Sequence, residues 1–315
     1  MKTIITESVD VAAQFIRQGE VVAFPTETVY GLGADCFNSD AVEKIFIAKG
    51  RPSDNPLIVH ISDLNQLKDV TEKITDSAKL LMESFFPGPL TVILPKNQKV
   101  GSKVTANLNT VGVRMPESDV ALQFIEACGT PIAAPSANLS GKPSPTTWEA
   151  VSEDLHERIS CILKGEPSRI GIESTVVDCT GEIPLVLRIG AISIEELNTV
   201  VPNVAIPHKG SKLYFRSPGT QYKHYAPEGK VRIWEKENAE FNSKTAFIGL
   251  SAPEHTESFS YLQLCDSVAE YTRGIYQFFR ACDLLGIQTV YCEAVEEKGI
   301  GRALMDRIKR ASEAG

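Results

Sequence analysis

The sequence predicts a mixed α/β protein in two parts, and three observations carry that reading. Short apolar runs recur along the first 190 positions, segments of helical periodicity separate some of these runs but not others, and a stretch at 202–229 broken by Pro207, Gly210, Pro218, Gly219 and Pro227 precedes a second, smaller set. Parallel neighbours need a crossover connection. Consecutive strands without a helix between them therefore favour a mixed sheet over a strictly parallel one.

Taken in order, residues 7–18 place Val11, Ala12, Phe15 and Ile16 at helical spacing, and a strand over 21–24 follows Gly19. Ser39 is the expected N-cap of a helix reaching Ala48, with Val42, Ile45 and Phe46 on one face and Gly50 and Pro52 ending it. Strands are expected over 57–61, 90–94, 111–115, 132–134, 174–179 and 185–189, with helices near 77–85, 120–128 and 147–155. Beyond the break, strands at 231–234, 245–250 and 289–293 alternate with amphipathic helices at 267–285 and 301–314, a small α/β unit of Rossmann-like character. The chain thus divides into 1–200, a linker at 201–229 and a C-terminal unit at 230–315. The string Tyr222-Lys223-His224-Tyr225 is more adhesive than a spacer needs, so the linker is read as a possible lid.

A hydrophobic fraction of 43% in 315 residues is enough for two ordinary cores. Residues 1–10 carry acids and no apolar leader, and no run of about 18 apolar residues occurs, so a cytoplasmic protein without a membrane span is expected. Seven cysteines lie scattered without a Cys-x-x-Cys pair, which argues against a disulfide framework, and Cys36 lacks a neighbouring base to make it a nucleophile. A formal charge of −8 opposes a protein whose main task is gripping nucleic acid. The cations at Lys49, Arg51, Lys142, Arg188, Arg216 and Lys223 instead fall in motif loops, which suits a small anionic ligand.

Two loops carry most of the chemical signal. Lys49-Gly50-Arg51-Pro52-Ser53-Asp54-Asn55 joins two cations to hydroxyl and amide groups at a helix end, and Pro135-Ser136-Ala137-Asn138-Leu139-Ser140-Gly141-Lys142-Pro143-Ser144 repeats that mixture after an apolar strand. Together they suggest one phosphate site. It is not a P-loop, since Gly141-Lys142 lacks the leading glycine, and Gly31-Leu32-Gly33 and Gly299-Ile300-Gly301 are only half of a dinucleotide fingerprint. The histidines show no metal-ligand spacing. His60 and Arg114 are expected at strand ends beside the cationic loop, and residues 24–33 run a buried strand into hydroxyls, an acid and a glycine turn.

These segments, with Val111-Gly112-Val113-Arg114-Met115-Pro116, Glu173-Ser174-Thr175-Val176-Val177-Asp178 and Leu187-Arg188-Ile189-Gly190, resemble the YrdC-like family over roughly the first 190 residues. The later strings at 217–227 and 299–307 resemble its longer, two-domain form. The family's paired Lys-x-Arg and Ser-x-Asn signature is complete as Lys49, Arg51, Ser136 and Asn138. The resemblance implies a YrdC-like mixed twisted sheet with helices and a nucleotidyltransferase that joins L-threonine, bicarbonate or CO2 and ATP into threonylcarbamoyl-AMP with release of pyrophosphate. The product would pass to tRNA threonylcarbamoyl transferase machinery, with direct tRNA contact possible but not required.

By the same resemblance, Lys49, Arg51, Ser136 and Asn138 are catalytic, while Arg51, Asn55, Thr110, Ser136, Ser144, Arg188 and Tyr225 contact ATP. Thr28, His60, Arg114, Ala134 and Ser174 contact threonine. Magnesium (Mg2+) is expected to arrive with ATP, as no dense carboxylate motif would cage it, with Glu27 and Asp178 as candidates for outer-shell help. The rival reading is an RNA-binding module of the YrdC type. A carbamoyl-phosphate-using maturation factor is a third, but its relatives carry zinc-finger parts and this chain has no Cys-x-x-Cys.

Overall fold

The computed structural model describes residues 2–208, 225–235 and 244–313. Most of the expected lid, including Arg216, Tyr222, Lys223 and His224, lies outside the described residues. The chain opens with β1 (Ile4–Thr6), α1 (Val9–Arg17), β2 (Val22–Phe24), β3 (Gly31–Asp35), α2 (Ser39–Lys49) and β4 (Ile58–His60). It continues through α3 (Leu67–Val70), α4 (Asp76–Phe85), β5 (Leu90–Pro95), α5 (Ser102–Thr105), β6 (Thr110–Arg114), α6 (Asp119–Cys128) and β7 (Ile132–Ala134). The first sheet is completed by α7 (Trp148–Leu155), β8 (Cys161–Leu163), β9 (Thr175–Asp178), β10 (Leu185–Arg188) and α8 (Ile194–Val200).

Among the described residues these strands form one ten-stranded sheet in the order β1-β8-β2-β3-β7-β4-β6-β5-β9-β10. Parallel pairs such as β4 with β6 stand beside antiparallel ones such as β3 with β7, so the sheet is mixed, as the pattern of helix-free connections predicts. Alternation along the strands splits the apolar side chains between two layers. Val22, Phe24, Ile132 and Leu163 meet α1 and α6 through Ala12, Ile16, Phe124 and Ile125. On the other face Ala23, Leu32, Val59 and Val113 meet Val42 and Ile45 of α2 and Leu81 of α4.

Local chemistry sets the helix ends. Ser8 caps α1 by accepting the Val11 amide, and α2 is capped not by Ser39 but by Asn38, whose side chain accepts from the Asp40 and Ala41 amides. Gly50 ends α2 at φ +61°, a left-handed cap that favours glycine. Gly31 and Gly33, expected in a turn, instead belong to β3, and crowding explains them. A Cβ on Gly33 would lie 2.6 Å from Ile132 Cγ2, and one on Gly31 would lie 2.9 Å from the ring of Phe24.

A second sheet contains β11 (Lys230–Ile233), β12 (Thr245–Gly249), β13 (Tyr261–Leu264) and β14 (Thr289–Cys292), all parallel in the order β11-β14-β12-β13. Helices α9 (Val268–Leu284) and α10 (Ile300–Glu313) pack on it, and their core includes Val29 and Ile172 from the first part of the chain. Arg280 of α9 reaches across to Asp154 of α7 at 2.7 Å and donates to the Pro143 carbonyl at 2.6 Å. Asp154 is buried and also accepts the Leu139 amide, so this pair ties α9 to the Asn138–Ser144 loop. No helix of the described residues is long and apolar enough to cross a membrane.

Gly190 marks the tightest crossing beside the site. A Cβ there would lie 2.4 Å from both Ser174 C and Thr175 N and 2.5 Å from Glu173 O, all backbone atoms that cannot swing aside. Gly190→Ala is expected to cost about 3 kcal/mol, the upper end for overpacking. Thermal or denaturant unfolding checks this, and an unchanged midpoint would contradict the crowding.

Candidate active site

Strand register assembles the site. β4 and β6 run parallel with His60 beside Arg114, and β7 runs antiparallel to β4, so His60, Arg114 and Ala134 all lie along one cleft. Thr28 and Ser174 line the same cleft, as do Arg51, Ser136, Asn138, Ser144, Arg188 and Tyr225. Backbone bonds hold its walls. Tyr30 donates its amide to Pro145 O at 2.9 Å and accepts the Ala137 amide at 2.8 Å, stitching the threonine-rich loop to the Ser136 loop.

The cleft is electropositive, with Arg51, Arg114, Lys142 and Arg188 on its lining. Arg114 is buried and pairs with Glu27 at 2.7 Å while its Nε donates to Gly88 O at 3.3 Å. Arg188 donates from Nε to Ser174 O at 3.0 Å and from Nη2 to Ser174 Oγ at 2.9 Å. Arg51 folds over its own loop, donating to the carbonyls of Asn55 and Pro56. Near these cations His60 is held neutral: burial first, and then the Arg114 charge, lower its pKa to about 3.

Thr28 is oriented by Thr26. The Thr26 hydroxyl donates to Val29 O at 2.7 Å, so across the 2.9 Å contact between the two hydroxyls Thr28 is the donor. That leaves the lone pairs of Thr28 Oγ1 as acceptors, the arrangement an ammonium, amine or hydroxyl group would meet.

Three expected residues stand elsewhere. Lys49 does not line the cleft; its ammonium turns inward to Ser136 O at 2.6 Å and Asn138 O at 2.5 Å, and Ser140 N donates back to Lys49 O. Burial pushes its pKa well below the ordinary lysine value. Lys49 therefore shapes the Ser136 loop from beneath, and Asn138 shares that work by donating to Leu139 O and Lys142 O and accepting from Ser136 Oγ. Asn55 is fully buried with neither side-chain polar atom hydrogen-bonded, and it too is absent from the lining. Thr110 opens β6, four residues before Arg114 and so roughly 13 Å back along the strand, which removes it from the lining.

Glu173 received no role from the sequence, yet its carboxylate lines the cleft and is fully engaged. Ser144 Oγ donates to it at 2.7 Å, Tyr276 OH at 3.0 Å and Arg307 Nε at 2.9 Å. Burial opposes its ionisation, but Arg307, Arg188 and the Ser144 hydroxyl outweigh that and hold its pKa below the usual carboxylate value. A readable signal existed for Arg307: it falls on the apolar face of α10 with Leu304, Ile308 and Ala311, where an unpaired cation would be costly. All seven cysteines are buried and free, and burial raises the Cys36 pKa well above its ordinary value, which makes it a poor nucleophile.

The donor set does not form a magnesium cage. Glu173 is committed to three donors, Glu27 faces Arg114, and Asp178 accepts from Thr180. Among the described residues no group of three or more His, Cys, Asp or Glu side chains is placed to hold a metal ion.

A cation-lined cleft on a mixed α/β sheet, with serine loops on one wall and a threonine pair on the other, defines an enzyme-like site for an anionic substrate. Residues 14–190 match the Sua5, YciO and YrdC family model, described as telomere recombination, and residues 192–313 match the threonylcarbamoyl-AMP synthase C-terminal domain. The chain belongs to this family, in the two-domain form. It is 42% identical to the threonylcarbamoyl-AMP synthase of Pyrococcus abyssi, covering 96% of this chain and 93% of the relative. It is 44% identical to that of Bacillus subtilis, covering 96% and 92%. The solved structure of P. abyssi Sua5 complexed with L-threonine superposes with a TM-score of 0.90 at 40% identity, covering 99% of this chain and 97% of that one. E. coli YciO, at 24% identity and a TM-score of 0.53, shares the fold over 62% of the chain.

The neutral His60 has a consequence for stability. The unfolded chain takes up a proton near the ordinary value of 6.5, whereas the folded chain refuses it until about 3, so this residue lowers stability as pH falls across that window. His60→Asn should flatten that part of the stability curve, by up to about 1.4 kcal/mol per pH unit. Denaturant unfolding between pH 7 and pH 4 measures it, and equal slopes for both proteins would refute the assignment.

Proposed function

We propose that the chain is a threonylcarbamoyl-AMP synthase, a nucleotidyltransferase that condenses L-threonine, bicarbonate or CO2 and ATP and releases pyrophosphate. The observation that carries this reading is the convergence of Arg114 and Arg188 with a neutral His60, in one cleft with Thr28 and Ser174. That set fits a small hydroxy amino acid: Arg114 for its carboxylate, Thr28 as acceptor for the amine or hydroxyl, His60 and Ser174 for the remaining polar group, and Ala134 leaving room. The names of the P. abyssi and B. subtilis relatives and the threonine held by P. abyssi Sua5 support the same substrate.

In the reaction the threonine nitrogen bonds to the carbon of CO2 and loses a proton, giving a carbamate. A carbamate oxygen then attacks the α-phosphorus of ATP while the bond from that phosphorus to the bridging oxygen breaks, and pyrophosphate leaves. No covalent enzyme intermediate is needed, so positioning and charge stabilisation carry the rate. Arg51 and Arg188 are assigned to the phosphates, where a planar guanidinium offers bidentate geometry. Ser136 and Ser144 supply hydroxyls, and Tyr225 covers the nucleotide and excludes water from the labile adenylate. Lys49 and Asn138 serve by shaping the Ser136 loop. Magnesium belongs to the ATP substrate, held by phosphates and water. The product would be handed, in the cytoplasm, to machinery that threonylcarbamoylates tRNA.

Pyrophosphate release is expected only with ATP, threonine and bicarbonate together, and serine should substitute poorly. Salt-sensitive RNA binding without such release would favour the RNA-binding reading instead. Arg51→Ala is expected to lower kcat/KM by about 2 to 4 kcal/mol of transition-state stabilisation, and near-normal turnover would remove Arg51 from the phosphates. For Arg114 the test pairs Glu27→Gln with Arg114→Gln, because removing one partner would strand a buried charge. The threonine KM should rise about 10-fold or more in that double variant, while an unchanged threonine saturation curve would exclude the carboxylate role.

A further inference from the structure

The buried polar groups that the C-terminal unit presents to the first unit converge on the nucleotide wall of the cleft. Arg307 of α10 is 0% exposed and makes three contacts there. Its Nε donates to Glu173 at 2.9 Å, its Nη2 donates to Ile189 O at 3.0 Å, and its guanidinium lies 4.9 Å from the centroid of the Tyr225 ring. Each contact leads to a residue assigned to ATP. Glu173 accepts from Ser144, Ile189 directly follows Arg188, and Tyr225 is the lid tyrosine itself. Arg307 does not line the cleft, so whatever it contributes passes through these neighbours.

Tyr276 of α9 completes the arrangement. Its hydroxyl donates to Glu173, and its ring stacks on Tyr225 with centroids 5.6 Å apart and planes 18° from parallel. Tyr225 holds φ at +76°, a conformation uncommon for a bulky residue, with the Tyr276 ring and the Arg307 guanidinium packed against its ring.

Among the described residues the C-terminal sheet shows no comparable commitment to a ligand of its own. Open parallel α/β sheets take ligands beyond the carboxyl ends of their strands. There, beyond β12 and β14, Glu293 accepts the amides of Leu250 at 2.5 Å and Ser251 at 2.8 Å. Those two backbone donors are thus occupied by the chain's own carboxylate.

We propose that Arg307 is a positioning residue for ATP: it fixes Ser144 through Glu173, Arg188 through the Ile189 carbonyl and Tyr225 through its ring. The C-terminal unit is then an integral part of the nucleotide site. This inference rests on the ATP reading above.

The test measures ATP and threonine saturation separately, with direct ATP binding by calorimetry as a readout independent of turnover. Arg307→Lys keeps the charge and loses the planar fork. It should raise the ATP KM and Kd about 10-fold or more while the threonine KM stays within about twofold. Tyr276→Phe keeps the stack and removes one donor to Glu173, and should raise the ATP KM by about 3-fold. In a Ser144→Ala background Tyr276→Phe should add nothing, because the hydroxyl through which it acts is gone.

An ATP KM within twofold of wild type in folded Arg307→Lys, an equal rise in both KM values, or additivity of Ser144→Ala with Tyr276→Phe would each overturn the proposal. Should Arg307→Lys fail to fold, the Tyr276 and Ser144 variants decide alone. Wild-type protein without pyrophosphate release dependent on threonine and bicarbonate would overturn the functional reading itself. An active wild type with unmoved variants overturns only the role of Arg307.

Discussion

The buried carboxylate of Glu173 is the constraint on which the rest of the site depends. A charge so largely removed from water is tolerated only when donors replace its hydration, and here Ser144, Tyr276 and Arg307 do so from three separate elements. Because Glu173 precedes Ser174, the same anchor sets the wall on which Arg188 lies. The two parts of the chain are joined at this point by electrostatics and by a core that includes Val29 and Ile172, so the Glu173 wall of the cleft is built from both parts.

A second physical theme is the separation of charge within the cleft. Arg114 pairs with Glu27 and Glu173 is held ionised in part by the nearby Arg188, while His60 loses its proton to burial and to the nearby guanidinium. The outcome is a neutral donor or acceptor in a cleft whose lining also carries Arg51, Arg114, Lys142 and Arg188. Such a site attracts an anion without adding the charge of a protonated His60 beside a reacting amine. Lys49 is removed from that inventory by the carbonyls that surround it, and its effect on the cleft is the shape of the Ser136 loop.

Much of this was legible from residue order. The strand holding His60, the strand ending at Arg114 and the cationic end of α2 follow from apolar periodicity and from Gly50, since those patterns are local. The short edge strand β1, and β3 with its paired glycines, were not readable as strands, because their definition comes from neighbours such as Phe24 and Ile132. Of the residues transferred by resemblance, Thr28, His60, Arg114, Ser136, Ser144, Ser174, Arg188 and Tyr225 fall on one cleft, whereas Asn55 and Thr110 do not line it. Spacing along the chain carries no information about which way an amide turns or how far a strand runs back from its end.

The sequence by itself determined the mixed α/β class, the two-part organisation, the cationic loops and the family, because these rest on periodicity, on turn residues and on motifs contiguous in the chain. Only the tertiary structure decided which charges face the ligand. Lys49 and Arg51 are two residues apart, yet one is buried under the Ser136 loop and the other lines the cleft. Glu173 and Arg307 are 134 positions apart, yet they form one ion pair. A charge acts according to its dielectric surroundings and its partners, and those are set by contacts between segments distant in the chain.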